Sequence, residues 1–221
     1  AKVWFERSLK ISEKLALADT NDAQAQRDFS ISLNKLGEVA VQLGHLSEAE
    51  VWFERSLKIR EKLALADAND AQAQRDLSIS LNSLGEVAVK MGQLGEAKVW
   101  FERSLKISEK LALADASDAQ AQRDLSISLE KLGNVAVKMG QLGEAKVWFE
   151  RDLKISEKLA LADANDAQAQ RDLSISLEKL GDVAVKMGQL GEAKVWFERS
   201  LKIREKLALA DANDAQAQRD L

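Results

Sequence analysis

The stretch VWFERSLKISEKLALADASDAQAQRDLSISLEKLGNVAVKMGQLGEAK, residues 99–146, decides the fold. Its opening string Val-Trp-Phe-Glu-Arg begins also at Val3, Val51, Val147 and Val195, so the chain repeats every 48 residues. The copy from Val147 differs from it at three positions only: Ser104/Asp152, Ser117/Asn165 and Asn134/Asp182. The first copy has drifted further, with Phe29 against Leu77 and His45 against Gln93. Recent duplication and consensus design both produce such closeness. A unit repeated at this period cannot bury its apolar face alone and does so by stacking on its neighbours.

Working outward, each unit holds two helical segments. Asn69 or Asp70 can cap a helix start, and Asn69 with Gln72 has capping-box spacing. Leu77, Leu81, Leu84, Ala88 and Met91 then recur at steps of four and three, one face of a helix. Gly92 suits a left-handed C-terminal cap. In the second segment Ala97, Phe101 and Leu105 share a face, with Trp100, Ser104, Ile107, Leu111 and Ala114 on the adjoining one. Ser78 and Ser80 alternate with apolar neighbours as in a strand, but the longer helical periodicity overrides them. The pattern predicts helices over 1–19, 22–43, 46–67, 70–91, 94–115, 118–139, 142–163, 166–187 and 190–211, then a short stub. Connections this short make successive helices antiparallel neighbours.

Composition agrees. Proline, cysteine and tyrosine are absent, and strong helix formers dominate. The net charge is −4, with 32 basic and 36 acidic residues interspersed; without a basic stripe, nucleic acid is not an expected partner. No apolar run approaches the ~20 residues of a membrane span. Lack of cysteine excludes disulfides and thiolate metal sites but identifies no compartment; a cytoplasmic location is favoured. The chain opens Ala1-Lys2-Val3-Trp4-Phe5, with neither initiator methionine nor signal peptide, and reads as a fragment of a longer protein cut within a repeat. Residues 1–221 are taken as one array, with units from 3, 51, 99 and 147 and a partial unit from 195.

The repeat resembles the tetratricopeptide family, whose signature runs W-x2-L-G-x2-Y, then A-x3-F, then P. Here Leu81-x2-Leu84-Gly85-x2-Ala88 is followed by Gly92 and Ala97-x3-Phe101. The set recurs from Leu33, Leu129 and Leu177. Residues 55–63, Arg-Ser-Leu-Lys-Ile-Arg-Glu-Lys-Leu, are similar to the longer repeats of kinesin light chains and related bacterial arrays. Leu81 and Ala88 replace the large aromatics, and the terminal proline is missing, so the second helix can run on and the next first helix can begin earlier. The resemblance implies an all-α fold, an α-solenoid superhelix of antiparallel helical hairpins.

It also implies a non-catalytic protein–protein interaction scaffold, whose first helices line a concave face that takes a peptide or helix. Carried onto this chain, that face comprises Asn34, Glu38, Arg75, Asn82, Glu86, Lys90, Arg123, Glu130, Asn134, Lys138, Arg171, Glu178, Asp182 and Lys186, with Ile31, Ile79, Ile127 and Ile175 among them. Many differences between copies fall here. Two readings stand: a groove tuned to a partner, or exposed sites drifting freely. The family's clamp for a C-terminal carboxylate is not matched, since Asn82 and Glu130 stand where it has lysine. The alternative function is a structural spacer that stacks end to end. Trp4, Phe5, Leu9 and Ile11 lack a preceding helix, and hairpin 166–211 is covered only by 214–221, so head-to-tail self-association is expected.

No enzyme site is expected, nor any cofactor or metal. His45, the only histidine, sits in a hairpin turn where other copies have glutamine, and reads as a solvated loop residue. The carboxylates lie at helical spacing beside Lys and Arg, as Glu54 with Lys58 and Glu102 with Lys106. The ladder Trp4, Trp52, Trp100, Trp148 and Trp196 reads as packing residues whose indole N–H reaches solvent or a neighbouring side chain; stacking on a ligand is the other reading.

Overall fold

Helix ends are set by the same few side chains in every repeat. In the computed structural model, residues 2–210 are described, with side chains from residue 7 onward. Among them the order is α1 (Lys2–Ala18), α2 (Ala23–Gln42), α3 (Leu46–Ala66), α4 (Ala71–Lys90), α5 (Leu94–Ala114), α6 (Ala119–Lys138), α7 (Leu142–Ala162), α8 (Ala167–Lys186) and α9 (Leu190–Ala210). Each lies within a residue or two of its expected bounds. Asp70, not Asn69, is the N-cap of α4: its Oδ1 accepts from the N–H groups of Gln72 and Ala73. Asn69 instead donates its backbone N–H to Asp67 Oδ1 at 2.9 Å, closing the turn between hairpins. Gln74 then reaches back to the Ala64 carbonyl at 3.1 Å, satisfying an acceptor at the end of α3.

The turn inside each hairpin is a Schellman cap. Gly92 has φ +79°, its N–H donates to Val89 O at 3.2 Å, and Gln93 N–H donates to Ala88 O at 2.8 Å. Gly44, Gly140 and Gly188 repeat the positive φ. A left-handed residue at this point reverses the chain in three residues, Met91–Gln93, so the second helix folds straight back on the first.

The chain divides into two compact units, with the boundary between Leu111 and Ala112. Each is a stack of antiparallel helical hairpins. In the first, Phe53 and Leu57 of α3 pack with Leu81, Leu84 and Val87 of α4. In the second, Phe149 and Leu153 of α7 pack with Leu177, Leu180 and Val183 of α8. Hydrophobic burial between adjacent hairpins is therefore the main stabilising term in both units. Of the residues invoked for end-to-end stacking, Trp4, Phe5 and 214–221 lie outside those whose side chains are described; Ile11 is exposed, whereas Leu9, expected to be uncovered, is buried against Leu33 and Leu36 of the following helix.

The signature glycine is a contact residue. A Cβ on Gly85 would lie 2.4 Å from Phe101 Cε1, and Gly37, Gly133 and Gly181 meet Phe53, Phe149 and Phe197 in the same way. Gly85→Ala is expected to destabilise by about 1–2 kcal/mol, because overpacking against a buried ring outweighs the gain of up to ~1 kcal/mol in helix propensity. Gly95→Ala, with nothing within 4 Å of the new methyl, should be neutral or raise stability by up to about 0.5 kcal/mol. Chemical melts of the pair check this; equal midpoints would mean that the Phe101 ring yields freely.

Candidate functional site

On the first helices, one register stays open although it carries an apolar side chain. Ile79, Ile127 and Ile175 are 49%, 46% and 40% exposed, whereas Leu81, Leu84, Leu129, Leu132, Leu177 and Leu180 of the same helices are buried. Of the candidates on the first helices, Glu38, Glu86, Lys90, Lys138, Asp182 and Lys186 are exposed; Arg75, Asn82, Arg123, Glu130, Asn134, Arg171 and Glu178 are half-buried; Asn34 alone is buried. The half-buried carboxylates are engaged. Glu130 accepts from Asn134 Nδ2 at 3.1 Å and pairs with Lys179 at 3.3 Å. Glu178 pairs with Arg204 at 2.5 Å and accepts from Ser200 Oγ at 3.2 Å. Lys179 also donates to Asn134 Oδ1 at 3.1 Å. In the first unit the residue at the position of Lys179 is Ser83, too short to reach across, and Asn34 Oδ1 is left buried without a hydrogen-bond partner.

Behind that face runs a buried polar seam. In the first unit Ser56 Oγ donates to Ser30 O at 2.9 Å and lies 3.3 Å from Ser80 Oγ. Arg60, 3% exposed, threads into the seam: Nε donates to Ser30 Oγ at 3.1 Å, and Nη1 to Asp76 O at 2.8 Å and Ser80 Oγ at 3.1 Å. Burial pushes the Arg60 pKa below the ordinary arginine value, and the Asp76 carboxylate opposes the shift. Asp76 is itself buried and is held by Arg27 Nε at 2.5 Å and Gln72 Nε2 at 2.9 Å. The hydrogen bond to Asp76 raises the Arg27 pKa.

The second unit repeats the seam with two exchanges. Ser156 stands at the place of Arg60, and Asp152 at the place of Ser56. Asp152 is 2% exposed; its carboxylate accepts from Ser126 Oγ and, at 2.8 Å, from Ser176 Oγ. Burial pushes its pKa up to about 6; the two hydroxyls work against that shift, and Glu130 and Asp172 add to it. A cavity of about 200 Å³ opens beside it, with Arg123, Ile127, Glu130 and Ile175 in its lining. The seam was missed by hydrophobic periodicity because its members are polar. The available signal was the recurrence of serine at 56, 104 and 200, against Asp152, and of Arg60 and Arg204 against Ser108 and Ser156.

Among the described residues, the tryptophans of the second helices are structural. Trp52, Trp148 and Trp196 are half-buried and donate Nε1–H to Glu48, Glu144 and Glu192 at 3.3–3.4 Å. Arg55, Arg103 and Arg199 lie over Trp52, Trp100 and Trp196 and pair with Glu13, Glu61 and Glu157 of the preceding repeat. The indoles are thus covered by cations that tie one repeat to the next. His45 is exposed, with Nδ1 3.3 Å from Glu48 Oε2. Among the described residues no group of three or more His, Cys, Asp or Glu is placed to hold a metal, and no helix is long and apolar enough to cross a membrane.

Hairpins closed by a glycine cap, with a glycine under a phenylalanine in each, define a tetratricopeptide-like α-solenoid. Two tetratricopeptide repeat family models match the chain, one over residues 31–67 and 78–115 and the other over 176–207. No curated protein matches it in sequence. Among solved structures, apo RapI superposes with a TM-score of 0.68 at 16% identity, over 90% of this chain and 47% of RapI. A protein of Podosopora anserina, described as a kinesin light chain with nearly identical TPR-like repeats, gives 0.62 at 17% identity, over 91% of this chain and 88% of that one. The Rap conjugation gene regulator of plasmid pLS20, in complex with the Phr* peptide, gives 0.58 at 16% identity, over 99% and 56%. The chain is a tetratricopeptide-like repeat protein.

Proposed function

We propose that the protein is a non-catalytic interaction scaffold that binds a protein segment, as an extended peptide or a helix, along the face of its first helices. The observation that carries this reading is the pair Ile127 and Ile175 of the second unit, left 46% and 40% exposed one repeat apart and flanked by charged side chains; Ile79 of the first unit, 49% exposed, holds the same register there. An apolar stripe with a polar rim is the usual anatomy of a protein-binding surface. A neighbour of this fold was solved with a peptide, which supports the same use. The acidic net charge favours protein over nucleic acid.

Lys138 and Lys186 are the better test of this face than Glu130 and Glu178, which hold the repeats together through Lys179 and Arg204. Both lysines are exposed at the ends of α6 and α8. Lys138→Glu with Lys186→Glu is expected to weaken a partner recovered by pull-down at least tenfold, about 1.4 kcal/mol, with unchanged helicity by circular dichroism. An affinity unmoved by this double reversal, and by Ile127→Ser with Ile175→Ser, would assign binding to another surface.

A further inference from the structure

We infer that the cavity at Asp152 is a recognition site for a guanidinium group, and that its ligand is an arginine side chain of the bound protein segment. The arginine of a bound segment as ligand rests on the scaffold reading; the guanidinium site itself stands on the seam. The two units show the same site in two states of occupancy. In the first, the chain supplies its own guanidinium, and Arg60 is held by Ser30 Oγ, Asp76 O and Ser80 Oγ. One double repeat further along the sequence, those acceptors have counterparts of identical type in Ser126, Asp172 and Ser176. The arginine is replaced by Ser156, whose Oγ lies 2.9 Å from Ser176 Oγ and 3.5 Å from Ser126 Oγ, between the two hydroxyls that hold Arg60 in the first unit.

The second exchange points the same way. Asp152 bridges Ser126 and Ser176, so a guanidinium set between those hydroxyls would lie against a carboxylate at the position that Ser56 fills in the first unit. Charge-assisted, forked pairing of this kind is the strongest recognition available to a guanidinium. The charged groups around the cavity leave room for an added cation. Arg123 is committed to Asp166 at 2.5 Å, and Glu130 to Lys179 at 3.3 Å. Asp172 accepts from Gln168 Nε2 at 2.7 Å and lies 3.9 Å from Arg123 Nε. The groups acting electrostatically on Asp152 are the acidic Glu130 and Asp172. An arginine at the Arg123 position is compatible with a bound guanidinium, since Arg27 occupies that position beside Arg60. The cavity is lined also by Ile127 and Ile175 of the proposed peptide face, so a side chain from a segment on that face can enter between them.

The test uses the full chain and two substitutions taken from its own repeats. Asp152→Ser restores the residue found at 56, 104 and 200, and Ser156→Arg restores the one found at 60 and 204. The probe is N-acetyl-arginine methylamide, with the lysine analogue as comparator, titrated at neutral pH while NMR shifts are followed. Saturable shifts centred on Ser126, Asp152 and Ser176 are expected, with the lysine analogue at least fivefold weaker. Asp152→Ser should weaken binding at least tenfold; Ser156→Arg should abolish it by self-occupation while raising the melting temperature. Equal binding by both variants and the parent, or no preference for guanidinium over ammonium, would overturn the assignment. Lys138→Glu with Lys186→Glu separates the two readings. If it leaves the arginine derivative bound and no protein partner is ever captured on the first-helix face, the cavity stands and the scaffold reading falls.

Discussion

Leu84→Asp is expected to cost more than about 4 kcal/mol, enough to lower the melting temperature by roughly 10 °C for a chain of this size. Leu84 is 3% exposed and packs with Phe53, Leu57, Leu81 and Val87 between two hairpins. Removing its branched end loses roughly 2–5 kcal/mol of burial and packing, as large-to-small core substitutions do. The carboxylate that replaces it finds no cation in this apolar cluster; it must be desolvated or take up a proton, and either adds to the cost. Glu86→Ala, two residues along the same helix on the exposed face, should stay within about 0.5 kcal/mol. Thermal and urea melts of the two variants decide the matter. Similar midpoints would mean that the packed and open faces of α4 have been exchanged.

Asp152→Ser is expected to stabilise the protein at neutral pH, by an amount that vanishes in acid. The folded chain holds the Asp152 carboxyl at about 6, above the ordinary value of 3.8, chiefly because it is buried. A raised acid pKa means that folding disfavours the charged form. Below pH 4 the group is protonated in both states and carries no penalty. As the pH rises from 4 to 6 the unfolded chain ionises first, and stability is lost; above 6 the loss is complete. Two pKa units correspond to about 3 kcal/mol, an upper figure for the gain from the serine at pH 7. Urea melts of parent and variant at pH 4, 5, 6 and 7 should show the gap opening across this window. A gap that stays constant with pH would show that the carboxylate is already compensated when folded. The same penalty gives a reason for a cation to bind there: a guanidinium that pairs with Asp152 removes it, and bound ligand should pull the carboxyl back down.

Helix number, bounds and antiparallel order were legible in the residues alone, because they depend on local chemistry that repeats without variation. Gly92 reverses the chain through a conformation that side chains resist, an aspartate such as Asp70 caps each first helix, and the 3.6-residue period of leucines assigns one face to the core. Gly85 and Phe101 were legible as family positions, and the structure brings them into contact. The first-helix face was read as a set of residues, but sequence could not sort its members. Lys138 and Asp182 are open, whereas Glu130, Asn134 and Glu178 bind neighbouring repeats. That sorting depends on which side chain stands across the gap on the next hairpin, Lys179 in one unit and Ser83 in the other.

What the sequence by itself determined is therefore everything set within one helix or one turn: the repeat, the caps and the apolar stripe. What only the tertiary structure decided is the polar seam. Ser30, Ser56, Arg60 and Ser80 come from three helices and become neighbours only when hairpins stack. The reason is physical. An apolar side chain gains from burial against almost any apolar neighbour, so its place follows from periodicity. A buried hydroxyl, guanidinium or carboxylate is tolerated only where specific partners are in reach, and those partners are supplied by residues 20 to 30 positions away. The exchange of Ser56 and Arg60 for Asp152 and Ser156 is plain in the sequence, but its consequence, a buried carboxylate beside an open cavity, exists only in the packed array.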